Sequence, residues 1–206
     1  SVPVRLRAFS VRPHTLVASD PAKVVGTAMM GIRVSSATAF ASPVADPPPT
    51  LTMWNAATGG AGFPYFDAAK RATMFGGKSI DVLIVSIGHN NGSQSASDFL
   101  KLAGDWISAY QGEHPETAIL ISSQNPEFSP AATKAAHAAR QAAFRTWARD
   151  RGFDYLPAFE AFAARADGGQ ALVMSDGIHP TTPPSGLTGD YGAVLWADTF
   201  TSTIGG

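Results

Sequence analysis

The stretch of sequence at residues 81–87, DVLIVSI, decides the fold, and it runs directly into residues 88–92, GHNNG. An uninterrupted run of apolar and β-branched residues is typical of a strand covered on both faces, as strands are in a parallel sheet. The glycines and polar side chains that follow predict an exposed turn at the carboxyl end of this strand. In open α/β sheets, reactive groups collect at that end.

Predicted strands and helices alternate on both sides of this stretch. Further strands are expected at 31–35, 51–54, 117–122 and 153–156, and helices at about 97–110, 130–151 and 191–201, with Ser97 as the N-cap of the first. Such alternation predicts an α/β fold, a three-layer α/β/α sandwich of the flavodoxin-like kind with a mainly parallel sheet of about five strands. Residues 1–30 alternate with a period of two and are interpreted as an N-terminal β segment, the remnant of a preceding region. The main domain is predicted at 31–206.

The composition excludes several function classes. The chain has 206 residues, of which 45% are hydrophobic and 15% charged, which suits one globular domain with a sizeable core. A net charge of −1 gives no reason to expect nucleic acid or an anionic membrane as partner. No apolar run approaches the roughly 20 residues that span a bilayer. The absence of cysteine excludes disulfides, thiolate metal sites and a cysteine nucleophile.

A late loop, residues 176–180, DGIHP, carries a candidate catalytic pair. The spacing of Asp176 and His179 lets the carboxylate accept the Nδ1 proton of the ring, which leaves Nε2 as a base. A serine hydroxyl needs such a base to act as a nucleophile. Gly60 and Asn90 each follow a predicted strand, and their N–H groups suit developing negative charge. Taken singly, each is as readily explained as a turn residue.

Together and in this order, these residues resemble the SGNH hydrolase family, also called GDSL esterases and lipases. That family has a Ser in its first block, a Gly in its second, an Asn in its third and Asp-x-x-His in its fifth. Residues 55–60, NAATGG, residues 88–91, GHNN, and residues 176–180 match the later three blocks, and residues 189–192, GDYG, open the closing helix. The resemblance covers about residues 31–203. It implies hydrolysis of a carboxylic ester through an acyl-enzyme, with no metal and no organic cofactor.

Within this resemblance, Asp176 and His179 are the predicted catalytic pair, and Gly60 and Asn90 belong to the oxyanion hole. The first block departs from the family pattern because Gly-Asp-Ser occurs nowhere in the chain. Residues 34–39, VSSATA, give the best match, so Ser36 is the predicted nucleophile and a third oxyanion donor through its backbone N–H. Ser19, within residues 18–20, ASD, is the alternative, and a third reading is that neither serine serves.

Two other histidines and one glycine-rich loop are further candidates for a function. His89 adjoins Asn90, and we expect it to contact substrate. His137, on an Ala-rich helix, is interpreted as a solvated or partly buried side chain with no partner at metal-ligand spacing. Residues 76–79, GGKS, are interpreted as a plain loop, because Ala72 stands where a phosphate-binding loop needs glycine.

The absence of a long apolar lid favours a short acyl ester, such as acetyl on a carbohydrate, as substrate. The alternative function is a non-catalytic binding or structural module of the same fold within a larger surface or phage virion protein. The chain begins without Met or a signal-peptide pattern, so we expect a trimmed product or part of a larger polypeptide or assembly. An extracellular or virion-associated location is favoured over a cytoplasmic one.

Overall fold

The computed structural model describes residues 28–35, 50–182 and 190–204. The strands are β1 Ala28–Ser35, β2 Thr50–Asn55, β3 Val82–Ser86, β4 Ala118–Ser122 and β5 Asp154–Leu156. The helices are α1 Ala68–Thr73, α2 Ala96–Glu113, α3 Ala131–Asp150, α4 Ala158–Ala163 and α5 Gly192–Ile204. Short 3₁₀ turns lie at Phe63–Tyr65, His89–Asn91 and Gln170–Leu172.

The five strands form one sheet in the order β2-β1-β3-β4-β5. β3 pairs parallel with β4 and β4 with β5, whereas β1 is antiparallel to both of its neighbours. β2 therefore points the same way as β3, and of the five strands that the structure describes only β1 runs in the opposite direction. The predicted mainly parallel sheet is confirmed, with β1 as the exception. The chain enters β1 beside Ser86, which pairs with Ala28, and leaves it at the opposite edge, where Ser35 pairs with Thr50.

The side chains of β3 alternate between two apolar clusters, one on each face of the sheet. Leu83 and Val85 lie in the larger cluster, which includes side chains of α2 and α3. Val82 and Ile84 lie in a second cluster with Phe200 of α5. Helices thus cover both faces, which confirms the three-layer α/β/α sandwich and explains why β3 is apolar throughout.

The boundaries of the helices follow their caps. α3 begins directly after Pro130 and ends before Gly152, which has a φ of +72°, close to the predicted 130–151. The predicted N-cap of α2 was wrong: Ser95, not Ser97, caps it, because its Oγ accepts a hydrogen bond of 3.1 Å from the backbone N–H of Asp98. The apolar periodicity indicates where α2 packs, not where its hydrogen bonds begin.

The first strand bears on the predicted domain organisation. β1 begins at Ala28, so the boundary expected between residues 30 and 31 falls inside this strand. Residues 1–27, which include most of the predicted N-terminal β segment, lie outside the described residues. None of the helices that the structure describes is long and apolar enough to cross a membrane.

Candidate active site

The carboxyl ends of β2 and β3 lie at the same edge of the sheet because the two strands share a direction. β2 ends at Asn55, whose side chain accepts a hydrogen bond of 2.8 Å from the N–H of Ala57 and so starts the turn that contains Gly60. Gly60 has a φ of +75°, a conformation that favours glycine. The side-chain amide of Asn90 donates to the carbonyl of Ala61 at 3.0 Å. The structure therefore joins the glycine turn to the loop after β3, as the shared edge predicts.

Asp176 and His179 form a closed hydrogen-bonded unit. The Nδ1 atom of His179 lies 2.5 Å from Oδ2 of Asp176, and Oδ1 accepts the backbone N–H groups of Ile178 and His179 at 2.9 and 3.0 Å. Partial burial raises the pKa of Asp176, but these hydrogen bonds outweigh it and lower the pKa to about 2. A carboxylate held in this way keeps the ring proton on Nδ1 and leaves Nε2 to accept a proton. Both side chains remain accessible, with exposed fractions of 41% for His179 and 43% for Asp176.

Gly177 fits this turn against the loop that follows β4. Its φ is +74°, and its carbonyl accepts a hydrogen bond of 2.7 Å from the N–H of Phe128. A Cβ at this position would lie 2.5 Å from the backbone N of Ser129. Only glycine can therefore bring the Asp176–His179 turn this close to residues 128–129.

The loop after β4 supplies two site residues, Gln124 and Asn125, that the sequence did not point out. Residues 122–125, SSQN, are all buried although all are polar. Gln124 accepts a hydrogen bond of 2.7 Å from the N–H of His89, and the amide of Asn125 donates to the carbonyl of Ile178 at 2.8 Å. Four consecutive polar residues at the end of a buried strand were the signal that could have found them.

His89 and His137 form a stacked pair beside the loop after β4, with ring centroids 4.3 Å apart. The backbone carbonyl of Asn125 lies 2.9 Å from Nε2 of His89 and 3.0 Å from Nε2 of His137, so both Nε2 atoms carry protons and donate. Burial lowers the pKa of His89 to about 3 and that of His137 to about 4, and the neighbouring His137 lowers the pKa of His89 further. Both rings are therefore neutral at pH 7. The interpretation of His137 as solvated or partly buried was wrong, because its side chain is fully buried.

Arg140 and Gln141 continue this buried polar face of α3. Arg140 is fully buried and donates to the carbonyls of Gly92 at 2.7 Å, Gln94 at 2.9 Å and Gly88 at 3.2 Å, and so braces the whole loop after β3. Gln141 donates to the carbonyl of Ile87, the residue before Gly88, at 3.3 Å. The spacing of residues 137, 140, 141, 144 and 147 along one helical face was the available signal, since the last two are plainly apolar.

The predicted nucleophile Ser36 and its alternative Ser19 lie outside the described residues. Both assignments remain predictions. The described part of β1 ends at Ser35, at the edge of the sheet opposite to Ser86 and the candidate site. Within residues 28–35, 50–182 and 190–204, no three His, Asp or Glu side chains are grouped so that they could hold a metal ion.

The α/β/α sandwich, the Asp-x-x-His turn and the asparagine in the loop after β3 are the arrangement expected of the SGNH class of hydrolases. The chain belongs to the GDSL-like lipase/acylhydrolase family, whose sequence model matches residues 27–183. The resemblance stated from the sequence is thereby confirmed. No curated protein gives a significant match to the chain.

Solved structures support the same fold. A protein from Parabacteroides merdae described as a GDSL-like lipase has a TM-score of 0.58 at 15% identity, covering 71% of this chain and 70% of that one. A carbohydrate esterase of family 3 from Talaromyces cellulolyticus has a TM-score of 0.55 at 14% identity, covering 71% and 67%. A protein from Bacteroides fragilis described as an acylhydrolase has a TM-score of 0.55 at 13% identity, covering 71% of each chain. At these identities the likeness shows the fold, and the family match makes the chain a hydrolase of the SGNH type.

Proposed function

We propose that the protein hydrolyses a short-acyl carboxylic ester by way of a covalent acyl-serine intermediate. The observation that carries the proposal is the Asp176–His179 pair, hydrogen-bonded at 2.5 Å and accessible to solvent. Because the proton of His179 is held on Nδ1, its Nε2 is free to accept a proton, and a serine nucleophile requires such a base. The family match supports the reaction class.

In the first half-reaction, the serine Oγ attacks the ester carbonyl carbon while Nε2 of His179 accepts the hydroxyl proton. The tetrahedral intermediate then collapses, the bond to the leaving oxygen breaks, and His179 returns the proton to that oxygen to release the alcohol. In the second half-reaction, water attacks the acyl-serine, again giving its proton to His179, and the acid and free serine are regenerated. Asp176 holds the ring and stabilises its charged form in both halves.

The negative charge on the carbonyl oxygen would be held by the backbone N–H of Gly60, the side-chain amide of Asn90 and the backbone N–H of the serine. Support for this assignment comes from the hydrogen bond of 3.0 Å between the side-chain amide of Asn90 and the carbonyl of Ala61, the residue that follows Gly60. Donors fixed in advance of the reaction stabilise a developing oxyanion without reorganisation, and each is typically worth about 3 kcal/mol of barrier.

The direction of β1 bears on the choice of nucleophile. The motif match favours Ser36, which follows β1. The chain enters β1 beside Ser86 at the candidate site's edge and leaves it, at Ser35, at the other edge, which favours a serine that precedes the strand, such as Ser19. Both serines therefore belong in the same experiment.

The test combines labelling with kinetics. The protein is treated with a fluorophosphonate, the modified residue is located by mass spectrometry, and p-nitrophenyl acetate hydrolysis is measured for wild type, Ser36→Ala, Ser19→Ala and His179→Ala. We expect a single labelled serine, and loss of both label and activity in His179→Ala and in one serine variant. Full activity of His179→Ala would refute the proposed mechanism.

A non-catalytic module of the same fold is the second candidate function. The observation that favours it is again β1, whose carboxyl end lies away from the Asp176–His179 pair. In that case the wild-type protein takes no fluorophosphonate and hydrolyses none of several acyl esters. Such a module would act within a larger surface or virion protein. Its proposed location is therefore extracellular or virion-associated.

As substrate class we propose acetyl esters of carbohydrates. The likeness in fold to a carbohydrate esterase supports this, as does Tyr65, an exposed ring three residues beyond the glycine-rich turn against which a sugar could pack. We expect kcat/KM to fall as the acyl chain of p-nitrophenyl esters lengthens, and acetate to be released from acetylated polysaccharide. A preference for long acyl chains would contradict this proposal and leave the ester hydrolase standing.

A further inference from the structure

Asn125 touches the neighbours of both predicted catalytic groups. Its side-chain amide donates to the carbonyl of Ile178 at 2.8 Å, and Ile178 directly precedes the base His179. Its backbone carbonyl accepts from Nε2 of His89 at 2.9 Å, and His89 directly precedes Asn90. Asn125, in the loop after β4, thus links the loop that carries Asn90 to the turn that carries His179.

The contacts of Asn125 leave its side chain little freedom. It is 5% exposed, and its amide donates to the carbonyl of Pro126 at 3.1 Å as well as to Ile178. The side-chain nitrogen has two N–H groups, and two carbonyls take them. A buried amide with both donors engaged fixes its position relative to its acceptors, because breaking either bond would leave a buried N–H of Asn125 unsatisfied.

The surroundings of Asn125 are arranged to hold this bridge in place. His137 donates to the same carbonyl from α3 at 3.0 Å and stacks on His89. On the other side, the N–H of Phe128 donates to the carbonyl of Gly177 at 2.7 Å, a second bond between the loop after β4 and the turn that carries His179. The loop after β4 therefore connects the loop that carries Asn90 to the turn that carries His179.

We propose that Asn125 is a positioning residue that sets the separation between the oxyanion donor Asn90 and the base His179. The inference rests on the proposed ester hydrolase function. A small misplacement of either group lowers the rate of the chemical step far more than it lowers substrate affinity. The side chain of Asn125 bonds the carbonyls of Ile178 and Pro126, so it acts on His179 through the adjacent residue Ile178.

The kinetic test compares Asn125→Ala with Ser123→Ala. Ser123 is a matched control because it is equally buried in the same loop, while its hydroxyl bonds the N–H of Phe159 at 2.8 Å and the carbonyl of Leu156 at 3.1 Å, away from the site. With active sites counted by fluorophosphonate titration, we expect Asn125→Ala to lower kcat per site by about tenfold to a hundredfold with KM within about threefold. Ser123→Ala should lower the melting temperature and leave kcat per site unchanged.

A second variant covers the case in which Asn125→Ala does not fold. Asn125→Asp keeps the shape of the side chain and its backbone carbonyl, and replaces the N–H donors by a carboxyl oxygen that repels the carbonyls of Ile178 and Pro126. The imidazole protons in ¹H–¹⁵N spectra then report position without catalysis: the Nδ1 proton of His179, in its bond to Asp176, should shift in Asn125→Asp and stay in place in Ser123→Ala.

Either of two results overturns the proposal: kcat per titrated site unchanged in the Asn125 variants, or a His179 resonance unchanged in Asn125→Asp. If the wild-type protein neither hydrolyses esters nor takes the label, the proposed function fails instead. The His179 resonance then decides alone whether Asn125 positions the turn that carries His179.

Discussion

Acidification from pH 7 to about pH 4.5 should destabilise the protein through His137 and His89. Burial lowers the pKa of His137 from 6.5 to about 4 and that of His89 to about 3. Between the folded and unfolded pKa values, the unfolded chain binds protons that the folded protein does not. The free energy of unfolding therefore falls as the pH falls through this range.

The size of the effect follows from the pKa of His137. One pKa unit corresponds to about 1.4 kcal/mol, so this ring destabilises the fold by about 3 kcal/mol once the pH is below about 4. About 2 kcal/mol of that is reached between pH 7 and about pH 4.5, and His89 acts in the same direction. Asp176, with a pKa lowered to about 2, stays ionised over this interval and does not contribute.

The assay is urea unfolding of the wild type and His137→Gln at both pH values. Glutamine retains an N–H donor for the backbone carbonyl of Asn125 and does not titrate. The loss of stability between the two pH values should be about 2 kcal/mol smaller in His137→Gln than in wild type. His114→Gln, at the end of α2 and outside this hydrogen-bonded group, controls for the removal of a histidine.

An equal loss of stability in wild type and His137→Gln would refute the reasoning. It would mean that the ring at position 137 either reaches water or gains a proton without breaking its contact with Asn125. An equally shallow pH dependence in His114→Gln would also count against a specific effect of the buried pair.

Three further substitutions test the site. Asp176→Asn should lower kcat by roughly 10⁴-fold, because an amide no longer fixes the proton of His179 on Nδ1. Asn90→Ala should slow turnover by about a hundredfold or more through the loss of one oxyanion donor. Gly177→Ala should lower the free energy of unfolding by about 2 kcal/mol or more, because the added Cβ, at a φ of +74°, would lie 2.5 Å from the backbone N of Ser129.

Each of these tests has its own control. For the two kinetic variants, circular dichroism and melting curves check the fold, and turnover close to wild type in either would contradict its assigned role. For the glycine, Gly152→Ala is the matched variant, since Gly152 has a φ of +72° with no heavy atom within 4 Å of an added Cβ. Equal losses at Gly152 and Gly177 would show that the strained φ, not the contact with Ser129, sets the cost.

Local sequence was sufficient for most of the secondary structure. The apolar run at 81–87 corresponds to β3, Val82–Ser86, and the Ala-rich stretch between Pro130 and Gly152 corresponds to α3. Both were predictable because a continuous apolar run and a high helix propensity can be recognised from the residue types alone. The start of α2 was not, since the choice between Ser95 and Ser97 depends on which hydroxyl reaches an unpaired N–H.

The candidate site was likewise predictable from the sequence only in part. The Asp176–His179 pair was predictable because a separation of three residues closes the contact within one turn. The bridge from His89 through Asn125 to Ile178 was not, because its members come from three distant segments. The burial of His137 and Arg140 was also missed, since helical periodicity with polar residues predicts a solvated face unless a partner covers it.

By itself, then, the sequence determined the class of fold, the family and the contact between Asp176 and His179, because these depend on short-range patterns of apolar and polar residues. Only the tertiary structure decided the direction of β1, the buried polar face of α3 and the link that Asn125 makes between the two loops. Strand direction and burial are properties of the assembled sheet, where backbone pairing and packing against distant segments outweigh local preference.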